Sequence, residues 1–224
     1  MIEIIKVENK DQEREFVMFP FSLYKGCDYW VPPIISEELE SMDKEKNPVF
    51  ENAEAEFYIA KKDGVTVGRI AAMVNWVEIE EQKKNKLRFG WYDTIDDLEV
   101  SKKLLESVIE FGKKRKLEFV DGPVGFSNMD KAGLLIEGYE ELNTMITWYH
   151  YPYQKEHLKK LGFSKLAEWV EYKIKIFSAE DAPEKVKKFS KIIQQRYELK
   201  VLNFKSRKEI IPYVDKMFEL LNVT

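Results

Sequence analysis

The sequence predicts a mixed α/β domain: one central, mostly antiparallel sheet with helices on both faces. Two patterns carry the prediction. Three apolar stretches, at 53–61, 65–77 and 87–93, follow one another with only turn residues or a charged loop between them, as in a strand meander. Segments of helical periodicity flank that meander on both sides.

In chain order, residues 2–7 read as a first strand, closed by polar Asn9-Lys10-Asp11. The segment 13–25 is rich in apolar residues (Phe16, Val17, Phe19, Leu23, Tyr24), and Pro20 is expected to kink it or divide it into two turns. Tyr29-Trp30-Val31-Pro32-Pro33-Ile34 must run extended, because residues before proline avoid the α region. A short helix is expected over 36–40. Lys62-Asp63-Gly64 supplies turn chemistry between the first two meander strands, and Gly68-Arg69 interrupts the second. Residues 80–86 form a charged loop.

The clearest helix follows. Val100, Leu104, Leu105, Val108 and Ile109 form an apolar stripe, with Asp96 or Asp97 as N-cap and cationic 113–116 at the end. A short strand is expected at 117–120. After a glycine-punctuated stretch come a strand at 145–149, a helix at 153–161 and a long strand at 163–177. Beyond Ser178 a helix carries Val186, Phe189, Ile192 and Ile193 among lysines. A short strand over 200–204 then precedes a last helix carrying Ile210, Val214, Met217, Phe218 and Leu221.

Composition narrows the function classes. The 224 residues include 36 Lys+Arg and 40 Asp+Glu, a net charge of −4 that argues against a dedicated nucleic-acid binder. The lysines and Arg196 of 185–196 read as a solvated face, with RNA contact as the alternative. Two histidines and the single Cys27 leave no metal site of the usual ligands and no internal disulfide, so a reducing, cytoplasmic setting is expected. No apolar run approaches the ~20 residues of a membrane span, and the first ten residues lack the pattern of a signal peptide.

The two ends of the chain echo each other. Lys6-Val7-x-Asn9 matches Lys200-Val201-x-Asn203, and Glu15-Phe16-Val17 matches Glu209-Ile210-Ile211 at the same offset. The expected organisation is a domain over 1–177, a helical linker over 178–198 and the start of a truncated second repeat over 199–224. The apolar face of the last helix is then expected to pack on the first domain or on a second copy of the chain.

The strand order, with Leu161-Gly162-Phe163 after a short helix, resembles the GNAT (N-acetyltransferase-like) superfamily. The stretches FPFSLYKGCDYWVPP (19–33), KNPVFENAEAEFYIA (46–60), VGRIAAMVN (67–75), GPVGFSNMDKAGLLIEGY (122–139) and YPYQKEHLKKLGF (151–163) resemble a bacterial group of GNAT-like proteins. The resemblance implies a small-molecule site and acetyl-CoA or another acyl-CoA as donor. In that superfamily a glycine-rich loop opening the helix after the meander holds the donor's pyrophosphate. The matching segment here, 93–102, has no glycine and carries Asp93, Asp96, Asp97 and Glu99, which repel a diphosphate. Asp96, Ser101, Lys102 and Lys103 are the donor-site candidates there. The family often places a tyrosine acid four residues before the glycine of Gly-Phe. That position is Leu158, so Tyr151 and Tyr153 are the substitute candidates, with Asp93 or Asp130 as base. His157 reads as a surface residue of the same helix.

The stretch 122–138 is the most site-like loop. Asn128 and Asp130 are candidates to orient a polar ligand there, or to cap a turn. Arg69 is a candidate for an anionic ligand. Trp30, Trp76, Trp91 and Trp148 offer either core packing or an acyl pocket. Two functions follow: an acyl donor-to-amine transferase with a degenerate pyrophosphate loop, or an inactive ligand-binding or interaction module that keeps the fold.

Overall fold

The computed structural model describes residues 1–127, 129–144, 146–175, 178 and 180–223. The chain divides into two compact units, Met1–Trp169 and Val170–Thr224. The first has the GNAT-like mixed architecture that the sequence implies. Its elements are β1 (Ile2–Lys6), α1 (Lys10–Leu23), α2 (Ile35–Met42), β2 (Ala53–Lys62), β3 (Val65–Asn75), α3 (Trp76–Glu80), β4 (Lys86–Thr94), α4 (Leu98–Lys114), β5 (Phe119–Asp121) and α5 (Pro152–Lys160). The strands lie in the order β1-β2-β3-β4-β5. The first four pair antiparallel and β5 joins β4 in parallel over three residues.

The sheet separates two apolar layers. One face carries Tyr58, Ile70, Ala72, Val74, Leu87, Phe89 and Tyr92, covered by the stripe of α4 and by Leu158 of α5. The other carries Phe57, Ile59, Ala71, Met73 and Trp91, covered by Phe16 and Val17 of α1 and Met42 of α2. Gly68 is where α4 meets β3 most closely; a Cβ there would lie 2.8 Å from Leu104 Cδ1.

Strand β4 contains the irregularity on which the site depends. Ala71 of β3 lies opposite Gly90, but Arg69 lies opposite Asp93. Two steps along β3 thus match three along β4, which is a β-bulge. Trp91 sits in it with φ +47°, a conformation bulky residues rarely adopt. Side chains alternate across a strand, so the extra residue changes which face the rest of β4 addresses. Without it, Asp93 would face α4. With it, Asp93 faces α1 beside Arg69.

Several elements differ from expectation. Pro20 does not split its segment: α1 runs unbroken from Lys10 to Leu23. The proline removes the N–H that would bond the Phe16 carbonyl, and Arg69 Nη1 donates to that carbonyl instead at 3.1 Å. Trp76 and Val77 leave the strand for α3, whose N-cap Asn75 accepts the Val77 N–H at 3.0 Å. Residues 146–149 and 163–175 contain no strand, and Met145, Ile176 and Phe177 lie outside the described residues. Both stretches have strand-forming residues, but no described strand pairs with them. Leu166, Trp169, Val170, Tyr172 and Ile174 are all exposed.

The second unit contains α6 (Glu184–Arg196), α7 (Arg207–Ile210) and α8 (Val214–Val223). The strand expected at 200–204 is absent. Met217, Phe218 and Leu221 of α8 are each more than half exposed. Among the described residues no helix is long and apolar enough to cross a membrane.

Gly90 gives a direct test of the β4 path. A Cβ there would lie 2.4 Å from the Val124 carbonyl oxygen, a backbone atom with little freedom to yield. Gly90→Ala is expected to cost about 1–3 kcal/mol or more in chemical denaturation, the usual range for overpacking.

Candidate functional site

The cleft on the α1 and α2 face is built around three side chains from three elements. Asp93 (β4) is nearly buried; its Oδ2 accepts from Arg69 Nε at 2.7 Å and its Oδ1 accepts from the Tyr24 hydroxyl at 2.6 Å. Arg69 (β3) lies with its guanidinium over the Phe16 ring, 5.0 Å from the centroid. Tyr24 is the C-cap residue of α1. Burial, with the neighbouring Asp93 carboxylate, pushes its hydroxyl well above the usual tyrosine value, so it stays protonated. The Tyr24 oxygen also lies 3.0 Å from the Tyr149 carbonyl.

These groups line a narrow cleft together with Trp30, Val31, Pro33, Glu38, Lys131, Thr147 and Trp148. A second hollow, lined by Val31, Pro32, Pro33, Ile34, Glu37, Glu38 and Lys131, shares Val31, Pro33, Glu38 and Lys131 with it. The extended Trp30–Ile34 run supplies the apolar wall, because its prolines hold the chain straight. Glu38 is held in place by Trp91 Nε1, which donates to its Oε2 at 2.7 Å. Lys131 lies on a hairpin-like loop pinned from several sides. Gly125 N–H donates to the Lys131 carbonyl at 2.9 Å, and Gly133 N–H to the Pro123 carbonyl at 2.8 Å. Buried Arg88 donates to the Gly125 carbonyl at 3.0 Å.

β4 pairs with β5 only as far as Arg88, and beyond the bulge its carbonyls meet side chains rather than a strand. Gln154 Nε2 donates to the Tyr92 carbonyl at 3.1 Å, and the Tyr153 hydroxyl to the Thr94 carbonyl at 2.6 Å. His150 is fully buried. Its Nδ1 accepts the Leu135 N–H at 3.3 Å, and the Tyr92 carbonyl is a second partner of the ring. Burial lowers its pKa to about 4; the Asp93 charge opposes that shift and Arg69 adds to it.

The sequence candidates fall into separate groups. Asp93 and Arg69 form the ion pair of the cleft. Tyr151 packs its ring on Tyr24 at 5.2 Å, and Tyr153 stacks on Tyr151 at 5.7 Å. The Tyr151 hydroxyl has no hydrogen-bond partner among the described residues. Asp96 and Ser101 belong to a second cluster behind the sheet. Ser101 is fully buried, its Oγ is 2.8 Å from His157 Nδ1, and His157 Nε2 is 3.2 Å from Asp96. His157 is therefore a buried tie between α4 and α5, not the surface residue expected; the helical pattern alone did not show that α5 packs this side on α4. Lys102 is half-exposed with Glu99 at 3.8 Å, and Lys103 donates to the Ile2 carbonyl. Asp130 Oδ2 accepts from Ser127 N at 2.8 Å and so caps a turn. Asn128 lies outside the described residues. Trp30 and Trp148 line the cleft, whereas Trp76 and Trp91 pack in the two cores.

The start of α4 does not fit a diphosphate. Asp97 caps the helix, its side chain accepting from Glu99 N at 3.0 Å, and is paired with Lys62 at 3.0 Å. That pairing, with backbone N–H groups, lowers its pKa and keeps a negative charge at the helix start. Asp96 adds a second, exposed carboxylate beside it. No group of three or more His, Cys, Asp or Glu suited to a metal occurs among the described residues.

Sequence reasoning missed Tyr24, Glu38 and Lys131. They come from a helix end, a short helix and a loop, and no spacing links them.

No family model matches the chain. It is 31% identical over 167 residues to protein YghO of Escherichia coli (strain K12), covering 73% of this chain and 43% of that protein. It is 23% identical over 174 residues to the bacterial ceramide synthase of Caulobacter vibrioides (strain NA1000 / CB15N), covering 77% of this chain and 45% of that protein. The chain thus spans less than half the length of either curated relative. Similar solved structures include a predicted acetyltransferase from Clostridium acetobutylicum with acetyl-CoA, at 12% identity and TM-score 0.47, covering 77% of this chain and 96% of that one. Another is AAC(6')-Iy in complex with a bisubstrate analogue, at 13% identity and TM-score 0.46, covering 79% and 99%.

Buried His150 gives the site region a pH signature. Its folded pKa of about 4 lies below the ordinary 6.5, so the unfolded chain binds the extra proton first as pH falls. Its contribution is complete above pH ~6.5, declines by about 1.4 kcal/mol per unit below that, and levels off near pH 4. Denaturation midpoints measured across that window should fall for the wild type. His150→Gln should flatten the decline by up to about 3 kcal/mol.

Proposed function

We propose that this chain, with its GNAT-type fold, forms an acyl-transfer site that joins the acyl group of a thioester to a primary amine. The observation that carries the reading is the buried Arg69–Asp93–Tyr24 cluster, which lines a mixed polar and aromatic cleft. The relative named a ceramide synthase supports the same reaction class, since a ceramide is a fatty acyl amide of a long-chain amino alcohol. An apolar wall of Trp30, Val31, Pro33 and Trp148 suits an acceptor or acyl chain of that kind.

In this mechanism Asp93 takes a proton from the acceptor ammonium. Arg69 and Tyr24 hold the carboxylate in place through its two oxygens. The freed amine nitrogen attacks the thioester carbonyl carbon, the C–N bond forms, and the C–S bond breaks. Tyr151 supplies the proton taken by the departing thiolate and regains one from the nitrogen of the new amide, so it ends protonated; burial raises its pKa, so it carries that proton at neutral pH. Because the start of α4 repels a diphosphate, the donor is recognised by its acyl thioester end.

The runner-up is an inert binding module, favoured by that same acidic helix start. Amide formation from a long-chain amine and a fatty acyl thioester, followed by mass spectrometry, separates the two readings. Acyl-CoA and the matching S-acyl-pantetheine are expected to serve within a fewfold of each other. Asp93→Asn should lower the rate about 10²–10⁴-fold per folded molecule, with the folded fraction measured by circular dichroism. Absence of amide with either donor would leave the binding module.

A further inference from the structure

We infer that Glu38 is the specificity-determining residue of the cleft: its carboxylate binds the ammonium group of the acceptor and selects amines over alcohols of equal length. This inference rests on the acyl-transfer reading for its place in a reaction, but its binding claim stands on the geometry of the cleft.

Glu38 lines both the cleft that holds Asp93 and the hollow that shares residues with it. Its carboxylate is aimed rather than free to swing. Trp91 Nε1 holds Oε2 at 2.7 Å. Trp91 is itself fixed by the bulge and by rings of Phe57, Phe126 and Trp148 packed at 6.0–6.1 Å. Bulges beside functional sites commonly re-aim a side chain, and here the re-aimed indole fixes a carboxylate.

The remaining oxygen, Oε1, has no hydrogen-bond partner among the described residues. Charged neighbours leave it available. Arg69 is committed to Asp93 and to the Phe16 carbonyl. Lys131 lines the same cleft but forms no ion pair with Glu38 among the described residues. A carboxylate beside apolar walls, with one oxygen anchored and one open, matches a primary ammonium. Such a charge-assisted hydrogen bond is about twice as strong as a neutral one. An alcohol of the same length could use the apolar wall but would lack the charge.

Titration calorimetry at pH 7 with decylamine and with decanol tests this on the full chain. The wild type is expected to bind decylamine about tenfold or more tightly than decanol. Glu38→Gln should lose about tenfold for decylamine and leave decanol unchanged, while Glu38→Asp recovers part of the loss. Trp91→Phe, which keeps the carboxylate and removes its anchor, should fall between wild type and Glu38→Gln. Equal affinity of the wild type for the two probes, no binding of decylamine, or an unchanged Glu38→Gln affinity would each overturn the inference. Amide formation by the same variants separates it from the reading it rests on. If the wild type makes amide and Glu38→Gln keeps its amine KM, Glu38 selection fails and acyl transfer stands. If decylamine binds through Glu38 but no amide forms, acyl transfer fails and Glu38 selection stands.

Discussion

One extra residue in β4 sets the arrangement of the whole site. A regular strand would carry Asp93 on the face covered by α4, among Val100 and Leu104, where an ionised carboxylate has no partner. The bulge at Trp91 moves it to the face of α1 and brings it opposite Arg69. Burying either charge without the other would be strongly unfavourable. The bulge and the ion pair therefore require each other. The same bulge turns the Trp91 indole toward Glu38, so one backbone irregularity positions both carboxylates of the cleft.

Arg69 connects this strand geometry to α1. A proline inside a helix normally leaves a carbonyl without its N–H. Here that carbonyl belongs to Phe16 and is taken by Arg69, while the Phe16 ring lies under the guanidinium. Pro20 thus acts through what it removes, freeing an acceptor for a buried cation. Tyr24, one turn further along, reaches the other oxygen of Asp93. Helix α1, strand β3 and strand β4 meet at a single carboxylate.

The meander, α4 and the two apolar layers were legible because they rest on local periodicity and turn chemistry. Arg69 of β3 and Asp93 of β4 were legible as residue types, but their pairing was not. It depends on a one-residue register change that an apolar strand pattern does not reveal. Pro20 was misread for a related reason: the cost of a proline depends on who satisfies the freed carbonyl, and that partner lies 53 positions away. The strands expected at 145–149 and 163–177 show the opposite limit. Strand-forming residues are visible in sequence, whereas the neighbour that would make them a strand is not. His157 looked solvated on a helix that also carries Lys155, Glu156, Lys159 and Lys160, yet it closes a buried tie to Ser101.

At the far end of β4, Gln154, Tyr153 and the capped start of α4 close the strand carbonyls and the helix terminus with the chain's own groups. In front, the cleft leaves the Glu38 and Lys131 side chains beside an apolar wall. The central claim is that Arg69 and Asp93 are interdependent across the bulge. A double-mutant cycle of Arg69→Met and Asp93→Asn, read by chemical denaturation, tests it most directly. Each single substitution should destabilise by about 3–5 kcal/mol, because it leaves the remaining partner unpaired. The double variant should be no worse than either single, giving a coupling of at least about 2 kcal/mol. Additive losses, with the double variant worse by the sum of the singles, would contradict the account.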